Sequence, residues 1–181
     1  MYPTTRSLRR LALIPLAAVA IAAIAIPMST HASTATGTMN VTASVAKNCA
    51  FTTGTLAFGA YDPVSTNASG GTDLKVTDTT SALSISCTKG TSATITLNNG
   101  TNSGGSCSGT GPACLSDGTD VLNYGVYTDN TFATLWTGAT SVSYTSTAVG
   151  APALKVNGIV YKGQSVGVGS YTDTITATAT Y

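Results

Sequence analysis

The chain has 181 residues, of which 43% are hydrophobic and only 8% charged. Its three arginines all lie within the first ten residues, it contains no glutamate, and its one histidine is His31. Past that point five lysines stand against seven aspartates, a net charge near −2. Such a surface has little field to steer nucleic acid or an acidic substrate, and the usual proton-transfer and nucleophile-activating pairs are missing.

The first segment reads as a secretory signal peptide over residues 1–32. Arg6, Arg9 and Arg10 form a basic start, Leu11 to Ile26 is apolar apart from Pro15, and Thr30-His31-Ala32 places small residues at −3 and −1 of a cleavage site, with Ala35 as the alternative. The apolar run, about 16 residues, is short for a membrane span, so no membrane anchor is expected after leader removal. The remaining chain is of single-domain size and long enough for a real core.

Residues 33–47 come next. Met39, Val41, Ala43 and Val45 alternate with Thr38, Asn40, Thr42 and Ser44, the period-2 pattern of a strand with one apolar face. Only a short stretch separates Ser33 from Cys49, enough for one long strand and not for a free arm plus a complete first strand. Residue patterning alone leaves two readings open: a free extension, or the ordinary first strand of a sandwich.

From Cys49 onward short strands and turns are expected. Phe51 and Leu56-Ala-Phe58 are apolar, and Gly59-Ala-Tyr61-Asp62-Pro63 signals a turn. Residues 64–73 read as loop. Leu83, Ile85 and Cys87, then Ala93, Ile95 and Leu97, alternate with Ser and Thr around a Lys89-Gly90 turn. Residues 98–120, rich in Gly, Ser, Thr and Asn, read as a long surface loop. Leu122–Tyr127, Leu135-Trp136 and Val142–Tyr144 follow as strand candidates. Leu154–Val156 and Ile159–Tyr161 flank Asn157-Gly158, which predicts a tight hairpin. The last stretch, Tyr171–Tyr181, sets Tyr171, Ile175, Ala177, Ala179 and Tyr181 against threonine at every even position. A strand with one core face is predicted there, lying in a finished sheet or leaving an edge for another strand. No helical periodicity appears after the leader, and the element spacing argues an antiparallel β-sandwich.

Four cysteines in an exported chain read as two disulfides, because a zinc site would need spacings such as C-x-x-C. Three pairings are possible. Cys107 and Cys114, seven apart in a Gly/Ser/Pro stretch, favour a local clip, which leaves Cys49 for Cys87. Asp62 and Asp129 sit in turn-prone sequence, where aspartate bonds to its own backbone, and Asp117-Gly-Thr-Asp120 is too sparse for calcium. No catalytic residue, metal or cofactor is implied.

Leu56-Ala-Phe58-Gly59-x-Tyr61-Asp62-Pro63, Leu83-Ser-Ile85-Ser-Cys87 and Leu122-Asn-Tyr124-Gly-Val-Tyr127-x-Asp129 keep an order and spacing continued by Gly163-Gln164-x-Val166 and Gly169-Ser-Tyr171-x-Asp173-Thr-Ile175. In these features the chain resembles the spore coat protein U domain, the fold unit of archaic (Csu-type) chaperone–usher pilins. Before Gly163-Gln164 the family commonly has Gly-Arg-Ile-Pro-Ala, whereas this chain reads Gly158-Ile-Val-Tyr-Lys162.

The resemblance implies an incomplete immunoglobulin-like sandwich over residues 48–181 that lacks its closing strand. A periplasmic chaperone first supplies that strand, and then the N-terminal extension of the next subunit does so at an outer-membrane usher. It makes residues 33–47 a donor strand, with Met39, Val41, Ala43 and Val45 as its inserting face. It makes Ile175, Ala177, Ala179 and Tyr181 one wall of the receiving groove. The implied product is a fibre of this subunit or of related pilins at the cell surface, serving adhesion and biofilm formation. Other readings are a monomeric surface or spore coat protein, and an adhesin stacking sugars on Trp136 and the tyrosines.

Overall fold

The computed structural model describes residues 31–78, 82–103, 107, 109–148, 150 and 152–181; nearly all of the predicted leader lies outside them. The chain divides into two units, Met1–Thr42 and Ala43–Tyr181. In the first, residues 31–42 form no helix or strand and are exposed throughout. Among its described residues the second holds nine strands: β1 Cys49–Thr53, β2 Leu74–Asp78, β3 Leu83–Cys87, β4 Ser92–Leu97, β5 Ala113–Ser116, β6 Val121–Tyr127, β7 Val142–Thr145, β8 Val156–Val160 and β9 Ala177–Thr180.

All ladders are antiparallel. They form a β1-β3 pair, a β2-β8-β6-β5 sheet and a β7-β4-β9 sheet. The alternation sets which side chains go inward. In β3 and β4 the buried residues are Leu83, Ile85, Cys87, Ala93, Ile95 and Leu97, with serines and threonines between them. These meet Leu122, Tyr124, Val126, Val156, Val160 and Trp136 in one core. Burying each large aliphatic there is worth roughly 1.5–3 kcal/mol. Trp136 is buried and its indole N–H donates to the Ile95 carbonyl (3.0 Å), which satisfies the one polar atom of the ring.

β8 is buried along its whole length and β6 over most of it. One face packs on the core. On the other, the turn after β6 folds back, Thr128 bonding to Thr134 and Leu135 bridging to Tyr127. The Phe132 ring lies edge-on to Tyr127 (5.7 Å). Asp129 closes this turn, accepting from the amides of Thr131, Ala133 and Thr134 and from the Thr131 hydroxyl.

The structure corrects several local expectations. Leu135-Trp136, a strand candidate, forms only a single bridge from Leu135 to Tyr127. Asn157-Gly158 is not a hairpin turn, because Val156–Val160 is one strand paired with both β2 and β6. Its glycine serves packing: a Cβ at Gly158 would lie 2.7 Å from the Phe58 ring. Leu74–Asp78, not singled out by its pattern, is a strand. The expected loop 98–120 contains β5, with Ala113 and Cys114 buried. Ser33–Val45 forms no strand and residues 33–45 are exposed; alternation prescribes the faces of a strand but supplies no partner for its backbone.

Candidate strand-accepting groove

Two stretches without regular structure flank an opening onto the core. One runs from the end of β1 through Leu56 and Phe58 to Pro63, the other from Val166 to β9. Between them lie two cavities. The larger, about 670 Å³, has Leu56, Phe58 and Tyr61 on one side, Val166 and Tyr171 on the other, and Leu115, Leu122 and Val160 beneath. The smaller, about 340 Å³, lies between Thr53–Leu56 and Asp173–Ala177, over Leu83, Leu97, Val126 and Val156. Both are lined by Thr55, Leu56, Phe58 and Leu115, so they lie end to end along one cleft. Leu56, Phe58, Tyr171, Ile175 and Ala177 line these cavities and are only partly buried against the core, leaving apolar surface accessible from the cleft.

The first wall is set by packing and by a turn. Phe58 meets Tyr124 edge-on at 5.8 Å, the favoured aromatic arrangement, in the space that Gly158 leaves. The Asp62 carboxylate accepts from the amides of Val64 and Ser65. The Tyr61 hydroxyl accepts from the Gln164 amide (3.0 Å) and lies within bonding reach of the carbonyls of Tyr161 (3.1 Å) and Asn67 (3.2 Å), tying one side of the cleft to the other.

The second wall is held by successive partners. Asp120 accepts from the Gly167 amide, and Ser116 and Thr172 exchange both backbone bonds. Asp173 bonds to Tyr124 and to residues 101–102, and β9 then pairs with β4. Tyr171–Tyr181 is therefore not one uniform strand. Its ladder covers Ala177–Thr180, and its earlier part bridges to β5 at the edge of a different sheet. Burial pushes the Tyr124 hydroxyl well above its ordinary pKa, and the Asp173 carboxylate adds to the effect.

Ile175 and Ala177 line the smaller cavity. Ala179 packs on the core outside the cavity lining, and the Tyr181 side chain is half exposed, its hydroxyl donating to Asn48 (3.4 Å). Met39, Val41 and Val45 are 84%, 81% and 82% exposed, and Ala43 is exposed too. The cysteines pair as expected, Cys49–Cys87 across β1 and β3 and Cys107–Cys114 beside β5. The sequence marked Leu56 and Phe58 only as apolar motif residues, without placing them in a groove wall, and did not single out Leu115 in the floor. Asp173 was the one usable signal, a carboxylate at an inward position of an alternating segment.

The cleft is apolar, and among the described residues no group of three or more His, Cys or Asp side chains could hold a metal ion. Trp136 is buried beneath β4 and has no face open for stacking on a sugar. No helix among the described residues is long and apolar enough to cross a membrane.

The family model of the Spore Coat Protein U domain matches residues 35–178. The chain belongs to that family. Among curated relatives, "Protein U" of Myxococcus xanthus is 36% identical over 174 residues, covering 91% of this chain and 96% of that protein. Among solved structures, a chain from the crystal structure of the CsuC-CsuE chaperone-tip adhesion subunit pre-assembly complex, from archaic chaperone-usher Csu pili of Acinetobacter baumannii, superposes with a TM-score of 0.51 at 18% identity. The match covers 76% of this chain and 40% of that one. At that identity the likeness concerns the fold, an immunoglobulin-like antiparallel sandwich.

Proposed function

We propose that the chain is a structural subunit of a surface fibre, assembled by donor-strand exchange. In this reading residues 1–32 direct export, residues 33–47 are the donor strand, and residues 48–181 form the accepting domain. A periplasmic chaperone occupies the groove until an outer-membrane usher exchanges it for the next subunit's extension. The fibre then supports adhesion and biofilm formation at the cell surface. The observation that carries the reading is an apolar cleft, open between the stretch after β1 and the terminal segment, in a chain whose Met39, Val41 and Val45 are all more than four-fifths exposed.

The physics of the two parts is complementary. An added strand satisfies unpaired edge groups of a sheet while its alternate side chains fill pockets. A subunit left with an open apolar cleft and a bare edge is an aggregation hazard, which a chaperone relieves. The Csu complex holds a subunit together with its chaperone, which supports the same partner class here. Material stripped from the cell surface and run unheated in SDS should give a ladder of subunit multiples that collapses to monomer on boiling. Monomer alone in unheated samples refutes the polymer reading and favours a monomeric coat protein.

A further inference from the structure

The core-face positions of the terminal segment run Tyr171, Asp173, Ile175, Ala177 and Ala179, and one of them is a carboxylate. A charge turned toward a core is costly unless it is fully hydrogen-bonded. Asp173 is held from three directions. Its Oδ1 accepts from the amides of Thr101 (2.9 Å), Asn102 (3.2 Å) and Thr174 (2.8 Å) and from the Thr101 hydroxyl (2.9 Å). Its Oδ2 accepts from the hydroxyl of buried Tyr124 (2.7 Å). The loop closes directly on the carboxylate at Gly100, where φ is +85° and an added Cβ would fall 1.8 Å from Oδ2. Two further bonds, Thr101 N–H to the Thr174 carbonyl and the Asn102 side-chain Nδ2 to the Thr172 carbonyl, stitch the loop to the segment on either side.

The place of this joint in the topology gives it a role. Before it, Thr172 exchanges bonds with Ser116 of β5, in the four-stranded sheet. After it, Thr176 bonds to Asn98, and Ala177–Thr180 pairs with β4 in the three-stranded sheet. The segment changes sheets at Asp173. Tyr171 lines the larger cavity, and Asp173, Ile175 and Ala177 line the smaller one.

We propose that Asp173 is the positioning residue of the acceptor groove: held by Tyr124 and the 100–102 loop, it locks the terminal segment across the gap between the two sheets. The wall is then formed before a strand arrives, and the cost of ordering it is not charged against capture. The inference rests on the donor-strand reading.

The test uses the chain without residues 1–32, in wild-type form and as Asp173→Ala, Asp173→Asn and Tyr124→Phe. Acceptance is read as capture of a fluorescent peptide of residues 33–47 by each chain, and donation as capture of each variant's own extension by wild-type chain. Circular dichroism and thermal melts establish that each variant is folded at the assay temperature. Asp173→Ala should lose acceptance about tenfold, the order expected when hydrogen bonds to a charged group are removed, while donation stays at the wild-type level. Asp173→Asn should keep most of the acceptance, since its amide oxygen still accepts from residues 101–102 and its NH₂ can donate to the Tyr124 oxygen. Tyr124→Phe should fall between them. Acceptance by folded Asp173→Ala equal to wild type overturns the proposal. If Asp173→Ala does not fold, Tyr124→Phe decides: wild-type acceptance there also overturns it. A wild-type chain that captures no peptide sinks the donor-strand reading itself, and this proposal with it.

Discussion

Val41→Asp separates the donor-strand reading from an ordinary first strand. Val41 is 81% exposed in the single chain, so a carboxylate there is solvated and the monomer should melt as wild type does, within about 0.5 kcal/mol. In a neighbour's groove the balance changes. Burying the valine is worth roughly 1.5–3 kcal/mol, and the substitution forfeits it. The aspartate must also enter protonated, which at pH 7 costs about 4 kcal/mol from an ordinary carboxyl pKa near 3.9. Together these make about 6 kcal/mol per junction, on the order of 10⁴-fold in the junction equilibrium. Thr42→Asp, one residue along, points to the opposite face and stays wet, because register decides which face is buried. The assay is the fraction of subunit in heat-sensitive, SDS-resistant multiples, with monomer stability from thermal melts. Val41→Asp should abolish the ladder, Thr42→Asp should retain it, and neither should shift the monomer melt. A monomer destabilised by Val41→Asp would refute the reasoning, because it places Val41 in the subunit's own core. A normal ladder from Val41→Asp refutes it equally.

Three further outcomes follow from the geometry. Removing Cys49–Cys87, with its separation of 38 residues, should cost roughly 4 kcal/mol by loop entropy, against roughly 2.5 for Cys107–Cys114, separated by seven; denaturant melts of Cys87→Ser and Cys107→Ser in the opposite order would contradict the chain-entropy account. Gly158→Ala places a methyl against the Phe58 ring and should destabilise by about 1–3 kcal/mol, with Phe58→Leu restoring part of the loss; an unchanged melting temperature would show that the packing reading of this glycine is wrong. The Asp129 carboxyl is held down at about 2, first by the Thr131 hydroxyl and then by the backbone amides of its turn. Its folded value lies below the unfolded one, so the stabilisation is complete above about pH 4 and is lost as pH falls through about 2. Hydrogen exchange at the amides of Ala133 and Thr134 should therefore stay protected down to pH 4, after correction for intrinsic rates, and loosen below it; loosening already at pH 6 would assign the protection to another group.

Much of this protein was legible in local pattern, because local pattern obeys local physics. Alternation over Leu83–Cys87 and Ala93–Leu97 can satisfy only a half-buried strand, and the buried residues fall where it places them. The aspartates at 62 and 129 bond to the backbone just ahead of them, and the seven-residue spacing of Cys107 and Cys114 led to the observed pairing of all four cysteines. The structure decided whatever depended on a distant partner. Asn157-Gly158 has the composition of a tight turn and lies mid-strand, because β2 and β6 flank it and Phe58 needs the space above its glycine. A glycine that permits a turn and a glycine that permits close approach are identical in sequence. Ala113–Ser116 reads as loop until β6 pairs with it. The terminal segment keeps one unbroken alternation from Tyr171 to Tyr181, yet its backbone changes sheets at Asp173. Alternation records which face of a residue is dry, whereas the choice of neighbouring strand is made by hydrogen bonds to Ser116, Thr101 and β4, which lie far away along the chain.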